Sequence, residues 1–141
     1  MNIEEIRDAI AADLKIDRFN LIDETSRTPQ LFSKYLAIYM DEKLKLRRFK
    51  RKYYEMYADR REFYMGQKSD DIYNNEPWDK KVLRQDVDIY LDADPKLQDL
   101  TDKISFQEVI VDMLERTLKE ITGRNYQIKS MVDLIRFESG A

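Results

Sequence analysis

Residues 28–66 read TPQLFSKYLAIYMDEKLKLRRFKRKYYEMYADRREFYMG, and the reading of this stretch decides the fold. Thr28 can cap free backbone amides, and a proline at the first helical position gives up no needed donor, so the pattern predicts a helix that starts at Pro29. From there to Met65 no residue breaks a helix. Leu31, Tyr35, Ile38, Tyr39, Leu46, Phe49, Tyr53, Met56, Tyr57, Arg60 and Tyr64 recur at steps of three and four, and Gly66 stands where a left-handed C-cap belongs. The expected element is one helix over about 29–65, roughly 55 Å long at 1.5 Å per residue. A compact domain of 141 residues is narrower than that, so the helix is expected to project or to pair with another subunit.

The same stretch concentrates charge. Between Lys43 and Arg61 stand nine Lys and Arg against two acids, a local charge of +7 in a chain whose net charge is −3, which leaves −10 for everything else. At about 100° per residue, Lys43, Arg47, Lys50, Arg51 and Arg61 share one side of the helix with Tyr54, and the apolar stripe lies opposite. Basic side chains neutralise phosphates and release counterions, and aromatic rings offer bases a stacking surface, so the combination suits single-stranded nucleic acid. The candidate contacts on this reading are Lys43, Arg47, Arg48, Lys50, Arg51, Lys52, Tyr54 and Arg61. A solvated face that keeps a long helix soluble is the plainer reading, but such a face normally mixes signs and gains i,i+4 pairs. Acidic lipid is a further polyanion. Major-groove reading is disfavoured, because a zipper-type basic region precedes its leucine seam, whereas here the apolar stripe runs through the basic segment.

Outward from the long helix, Asn2 and Glu5 form a capping-box variant ahead of Ile3, Ile6, Ile10 and Leu14 at helical spacing, and residues 15–27 read as a connector. On the other side, 67–76 reads as a polar loop, and Trp78 to Asp92 as a helix carrying Trp78, Val82, Leu83, Val87, Tyr90 and Leu91. Asp94-Pro95 restarts the chain into a heptad seam of Leu97, Leu100, Ile104, Gln107, Val111, Leu114, Leu118 and Ile121, ended by Thr122-Gly123. Ser130 to Asp133 reads as a capping box opening a last short helix with Met131, Val132, Ile135 and Phe137 on one face.

The expected fold is all-α: a long projecting helix packed with shorter ones, assembling into a homo-oligomeric ring. Residues 1–94 would form an N-terminal helical region that binds single-stranded DNA, and 95–141 a C-terminal oligomerisation region. Spacing leaves open whether the seam is core or subunit interface. Its candidates for assembly are Leu100, Ile104, Val111, Leu114, Leu118 and Ile121, joined by Ile128, Ile135 and Phe137 of the terminal segment.

Composition excludes several chemistries. With no Cys and no His there is no thiol nucleophile, disulfide, Cys/His zinc site, imidazole base or Ser-His-Asp triad. Gly66, Gly123 and Gly140 are isolated, so no phosphate-cradling loop can form. Asp70 and Asp71 in a loop, and Asp92 and Asp94 before Pro95, read as turn formers and caps rather than metal ligands. No enzyme activity, cofactor or metal is expected. No run of about 18 apolar residues and no leader pattern is present, so a soluble intracellular protein is expected.

The run Leu31-Phe32-Ser33-Lys34-Tyr35-Leu36, the helix end Arg60…Phe63-Tyr64-x-Gly66, the terminal Arg124-x-Tyr126-x-Ile128-Lys129…Asp133…Phe137-Glu138-x-Gly140 and the opening Met-x-Ile-Glu-Glu-Ile together resemble the UvsY-type recombination mediators of T-even-like bacteriophages. The resemblance spans nearly the whole chain. It implies a non-enzymatic protein in the cytoplasm of an infected bacterial host that binds single-stranded DNA. It further implies a homo-oligomeric ring, a hexamer or heptamer, with assembly driven by C-terminal helices. The ring would load a RecA-like recombinase of the UvsX type onto strands covered by the phage single-strand-binding protein. The family's DNA contact is associated with a leucine-lysine-alanine-arginine motif near the end of the long helix. Here the aligned stretch is Tyr57-Ala58-Asp59-Arg60, so the arginine alone carries over and Ala58 stands at the lysine position; Arg60 joins the candidate contacts on that ground. The runner-up reading is a non-catalytic coiled-coil scaffold or adaptor whose basic helix docks an acidic protein partner.

Overall fold

A computed structural model describes residues 1–140, and among them all regular structure is helical: α1 (Ile3–Asp13), α2 (Leu21–Tyr64), α3 (Asp70–Asn75), α4 (Val87–Asp92), α5 (Pro95–Thr122) and α6 (Arg124–Glu138). The all-α expectation holds. The packing divides the chain into two units, Met1–Lys43 with the chain from Val109 onward, and Leu44–Glu108. Both long helices contribute to both units, so the first unit is discontinuous in sequence while the second is one continuous stretch.

The first unit is built on α1, the amino-terminal half of α2, the carboxy-terminal half of α5, and α6. Asn2 caps α1 as its spacing predicts: the Glu5 amide donates to Asn2 Oδ1 at 2.8 Å, and the Asn2 amide donates back to Glu5 Oε2 at 3.0 Å. Ile6, Leu31, Tyr35, Ile110, Leu114 and Ile121 form the core, with Ile3, Ile10, Leu14, Ile38, Tyr39, Met113 and Leu118 packed around it. Each fully buried Leu or Ile of such a cluster contributes about 1.5–3 kcal/mol. The phenol of Tyr35 donates to Asp13 Oδ2 at 2.8 Å beside the Lys34 ammonium at 2.6 Å, and the Lys34 hydrogen bond holds the Asp13 carboxyl below its usual range despite some burial.

Here α2 departs from expectation. It starts at Leu21, seven residues before Thr28, and Pro29 lies inside it. The reason is tertiary. Arg124, at the start of α6, is buried and reaches back to α2: one terminal nitrogen donates to the Glu24 carbonyl and to Thr28 Oγ1, and the other pairs with Glu24 Oε2 at 2.8 Å. Thr28 Oγ1 in turn donates to Asn125 Oδ1 at 2.8 Å. The threonine that looks like an N-cap is therefore a tie point to α6, and those contacts hold the turn around Pro29 helical against its local preference. Likewise α6 opens at Arg124 rather than Ser130, whose hydroxyl donates to the Tyr126 carbonyl within the helix.

The second unit holds the rest of α2, then α3, α4 and the first half of α5. Gly66 ends α2 as expected, at φ +73°, with the Gln67 amide donating to the Glu62 carbonyl at 2.9 Å and the Gly66 amide to Phe63. Its core is Phe63, Tyr64, Val87, Leu91 and Leu97, surrounded by Tyr53, Met56, Tyr57, Met65, Tyr73, Trp78, Val82 and Tyr90. Two expectations are corrected. The loop at 67–76 contains α3, positioned by Tyr73, whose hydroxyl donates to the Phe63 carbonyl at 2.7 Å and whose ring stacks on Phe63. The helix expected from Trp78 to Asp92 is helical only from Val87, because Trp78 donates its indole N–H to the Tyr64 carbonyl at 3.2 Å and wedges its ring against Tyr64 and Tyr90. That anchoring draws 77–83 into irregular backbone. The restart at Asp94-Pro95 holds: Asp94 Oδ1 accepts from the Lys96 and Leu97 amides at 2.8 and 3.1 Å.

Candidate nucleic-acid interface

Along α2 from Lys43 to Arg61 the two sides separate as the angular pattern requires. Leu46, Phe49, Tyr53 and Tyr57 are half-buried and Arg60 is buried, whereas Lys43, Arg47, Arg48, Lys50, Arg51, Lys52 and Tyr54 are exposed, with Arg61 half-buried. Lys50 faces Glu108 at 3.7 Å, both side chains half in solvent; such a pair contributes at most about 1 kcal/mol. Among the described residues no carboxylate lies within ion-pairing distance of Arg47, Arg48, Arg51 or Lys52. Two acids further along the helix are engaged elsewhere: Asp59 and Glu62 both hold the Lys68 ammonium, at 2.5 and 2.9 Å. Cations gathered on one face without counter-charge raise the local potential, which a phosphodiester chain relieves.

Aromatic surface accompanies the charge. Tyr54 is 69% exposed, and its ring lies 5.7 Å from Tyr53 in an edge arrangement. Tyr57 behind them is half-buried; burial and then Asp88, which accepts its hydroxyl at 3.3 Å, raise its pKa, so this phenol stays protonated. A groove of about 300 Å³ runs beside Tyr54, lined by Lys50, Tyr53, Tyr54 and, from α5, Thr101, Ile104 and Ser105. The α5 residues of this groove were missed in the sequence, because they are ordinary positions in and beside a heptad seam and only helix pairing brings them to Tyr54.

Arg60 is placed differently from the other candidates. It is 6% exposed, its Nε donates to Asp94 Oδ2 at 2.6 Å, and its terminal nitrogens donate to Glu76 at 2.6 and 3.3 Å. The guanidinium also lies over the Phe63 ring at 4.2 Å. The Tyr64 hydroxyl donates to Asp94 Oδ2 at 2.6 Å. Burial alone would raise the Asp94 carboxyl, but hydrogen bonds from Tyr64, Arg60 and the Leu97 amide hold it below its usual range. The matching bonds to Glu76, Tyr64 and Asp94 outweigh burial at Arg60 and keep it charged. Arg60, carried over from the family motif as a candidate contact, is instead held by carboxylates inside the unit.

The assembly candidates divide as well. Val111, Leu114, Ile121 and Ile128 are buried by the chain's own packing, and Leu100, Ile104 and Leu118 are half-buried. The seam is thus largely core. On α6 the large apolar side chains left in solvent are Ile135, Phe137 at 82% exposure, and also Tyr126 and Leu134.

Fold and exposed chemistry define a class: an all-α protein whose long helix carries a basic, tyrosine-bearing face suited to a polyanionic strand. Comparison with known families is more specific. The chain belongs to the UvsY family of recombination, repair and single-stranded-DNA-binding proteins, whose model matches residues 9–141. Crystal structures of the bacteriophage T4 recombination mediator protein UvsY share the fold throughout. In one lattice the TM-score is 0.83 at 22% identity, covering 99% of this chain and 98% of that one. In another it is 0.81 at 20% identity, covering 98% and 99%. A third gives 0.82 at 21%, covering 95% and 98%. No curated protein sequence matches the chain.

Proposed function

We propose that the exposed basic face of α2 binds single-stranded DNA with little sequence preference, and that the protein acts as a recombination mediator. In this role it loads a RecA-like recombinase of the UvsX type onto strands covered by the phage single-strand-binding protein, in the cytoplasm of the infected bacterial host. The observation that carries the reading is the set Arg47, Arg48, Arg51 and Lys52, exposed and without carboxylate partners on a helix that also exposes Tyr54. Membership of the family supports it.

The mechanism follows from repetition of a weak site. One helix face neutralises a few phosphates, and a homo-oligomeric ring of six or seven copies presents that face repeatedly to one flexible strand. Linked sites exceed the single-site affinity by about 100-fold or more without any new contact. A strand wrapped in this way is extended, freed from the protein that covered it and offered to the recombinase, which supplies the ATP chemistry. Ile135 and Phe137, with Leu134, are the apolar groups that a neighbouring copy would cover. Among the described residues no helix is long and apolar enough to cross a membrane.

Titration of a labelled oligonucleotide at several salt concentrations tests the reading. Log affinity should fall with log salt at a slope near −0.7 for each phosphate neutralised on a single strand. Salt-independent binding, or none at low salt, overturns it.

A further inference from the structure

We infer that the groove between α2 and α5 in the Leu44–Glu108 unit is a nucleobase subsite, in which a base of the bound strand stacks on Tyr54 while Lys50 takes the adjoining phosphate. The inference rests on the single-stranded-DNA reading above and adds to it where a base, rather than the backbone, is held.

The groove is lined by Lys50, Tyr53, Tyr54, Thr101, Ile104 and Ser105, with a volume of about 300 Å³. That is the lower end of the range for small-ligand clefts, appropriate to a planar heterocycle. Its walls differ in chemistry in the way a nucleotide does. Tyr54 supplies a ring that the protein leaves in solvent, braced edge-on by Tyr53 at 5.7 Å. Half-buried Ile104 adds apolar surface. Thr101 Oγ1 donates to the Leu97 carbonyl at 3.0 Å and so keeps its lone pairs for a donor on the ligand, while Ser105 is exposed and can donate or accept. The rotatable Ser105 hydroxyl beside a ring can meet any base, which suits stacking without sequence preference.

Lys50 stands at the same groove and is held by Glu108 at 3.7 Å across solvent. A phosphate competes directly with that carboxylate, and the exposed pair is weak enough to be exchanged. Glu108 therefore acts as a resident anion that bound DNA displaces.

The experiment compares two labelled strands of equal length, one of thymidines and one in which alternate bases are replaced by abasic linkers, so that phosphates match and bases do not. The full chain and its Tyr54→Ala, Tyr54→Phe and Glu108→Gln variants are titrated, and circular dichroism melts verify that each is folded. Wild type should prefer the thymidine strand, Tyr54→Phe should keep the preference, and Tyr54→Ala should lose about five- to 150-fold on that strand while binding the abasic strand as before. Glu108→Gln should tighten both strands alike, up to about fivefold. Equal wild-type affinity for the two strands, or a preference that survives Tyr54→Ala, overturns the base subsite while leaving backbone binding intact. Failure of both strands to bind at low salt overturns the DNA reading itself.

Discussion

Replacing Arg60 by alanine should unfold the protein more easily without weakening its grip on DNA. The side chain is buried, and its loss leaves the Asp94 carboxylate, itself 0% exposed, without its cationic partner. Removing one partner of a buried ion pair costs about 3–5 kcal/mol. Asp94 keeps the Tyr64 hydroxyl and two backbone amides, and Glu76, at 41% exposure, can turn to water, so the lower end applies, about 3 kcal/mol. At roughly 3–4 °C per kcal/mol for a chain of this size, the melting temperature should drop by about 10 °C. Melts followed by helical circular dichroism would measure it, alongside Asp94→Asn and the double variant. The double variant should recover part of the loss, since it no longer buries an unpaired charge, and the coupling should reach about 1–3 kcal/mol. DNA affinity, corrected for the folded fraction, should stay within about twofold. A melting temperature that barely moves, with DNA binding down tenfold, would refute the reasoning and return Arg60 to the interface.

The other predictions concern separate parts of the molecule. Arg47→Ala with Arg51→Ala should leave the melting temperature unchanged or slightly higher and flatten the salt slope by about 0.7 for each phosphate no longer neutralised, read by fluorescence anisotropy. Arg124→Met leaves buried Glu24 with Arg27 as its remaining cationic partner and uncaps its carbonyl, so urea denaturation should show a loss at the lower end of the buried-pair range, about 3 kcal/mol. The folded-state carboxyls of Asp94 and Asp13 lie below their ordinary 3.8, so the unfolded chain takes up their protons first; the stability they contribute is complete above that value and is lost as pH falls below it. Asp94→Asn should flatten that acid limb in a pH series of melts. Leu134→Ser with Phe137→Ser changes only exposed side chains of α6, so light scattering should find smaller particles while circular dichroism remains native.

Local signals were legible wherever the partner of a residue lies within a few positions of it. The Asn2/Glu5 box, the left-handed Gly66, the Asp94-Pro95 start of α5 and the outward side of α2 all emerge from spacing and backbone chemistry alone. Errors fall where a distant side chain overrides a local preference. Thr28-Pro29 has every feature of a helix start, yet Arg124, almost a hundred residues away in sequence, holds the turn helical from Leu21. Trp78 fits a helical stripe, and its indole bond to the Tyr64 carbonyl makes the segment irregular instead. The seam from Leu97 to Ile121 was legible as a packed face, and burial of Leu114 and Ile121 shows that the chain packs it largely against itself.

The contrast between Arg60 and Arg61 shows how far angle and charge reach together. Adjacent in sequence, they are separated by about 100° on the helix, which turns Arg61 toward the basic face and Arg60 into the apolar stripe. A guanidinium on such a stripe either snorkels to water or finds a buried carboxylate, and nothing on α2 itself chooses between the two. Asp94 chooses. As the residue before Pro95 it was legible as a cap, because Oδ1 serves amides two and three residues on. Its second oxygen was not legible, because the groups it receives, Arg60 Nε and the Tyr64 hydroxyl, lie 34 and 30 residues back. One carboxylate thus performs a local task and a distant one, and the distant task buries the arginine that the family motif offers as a DNA contact.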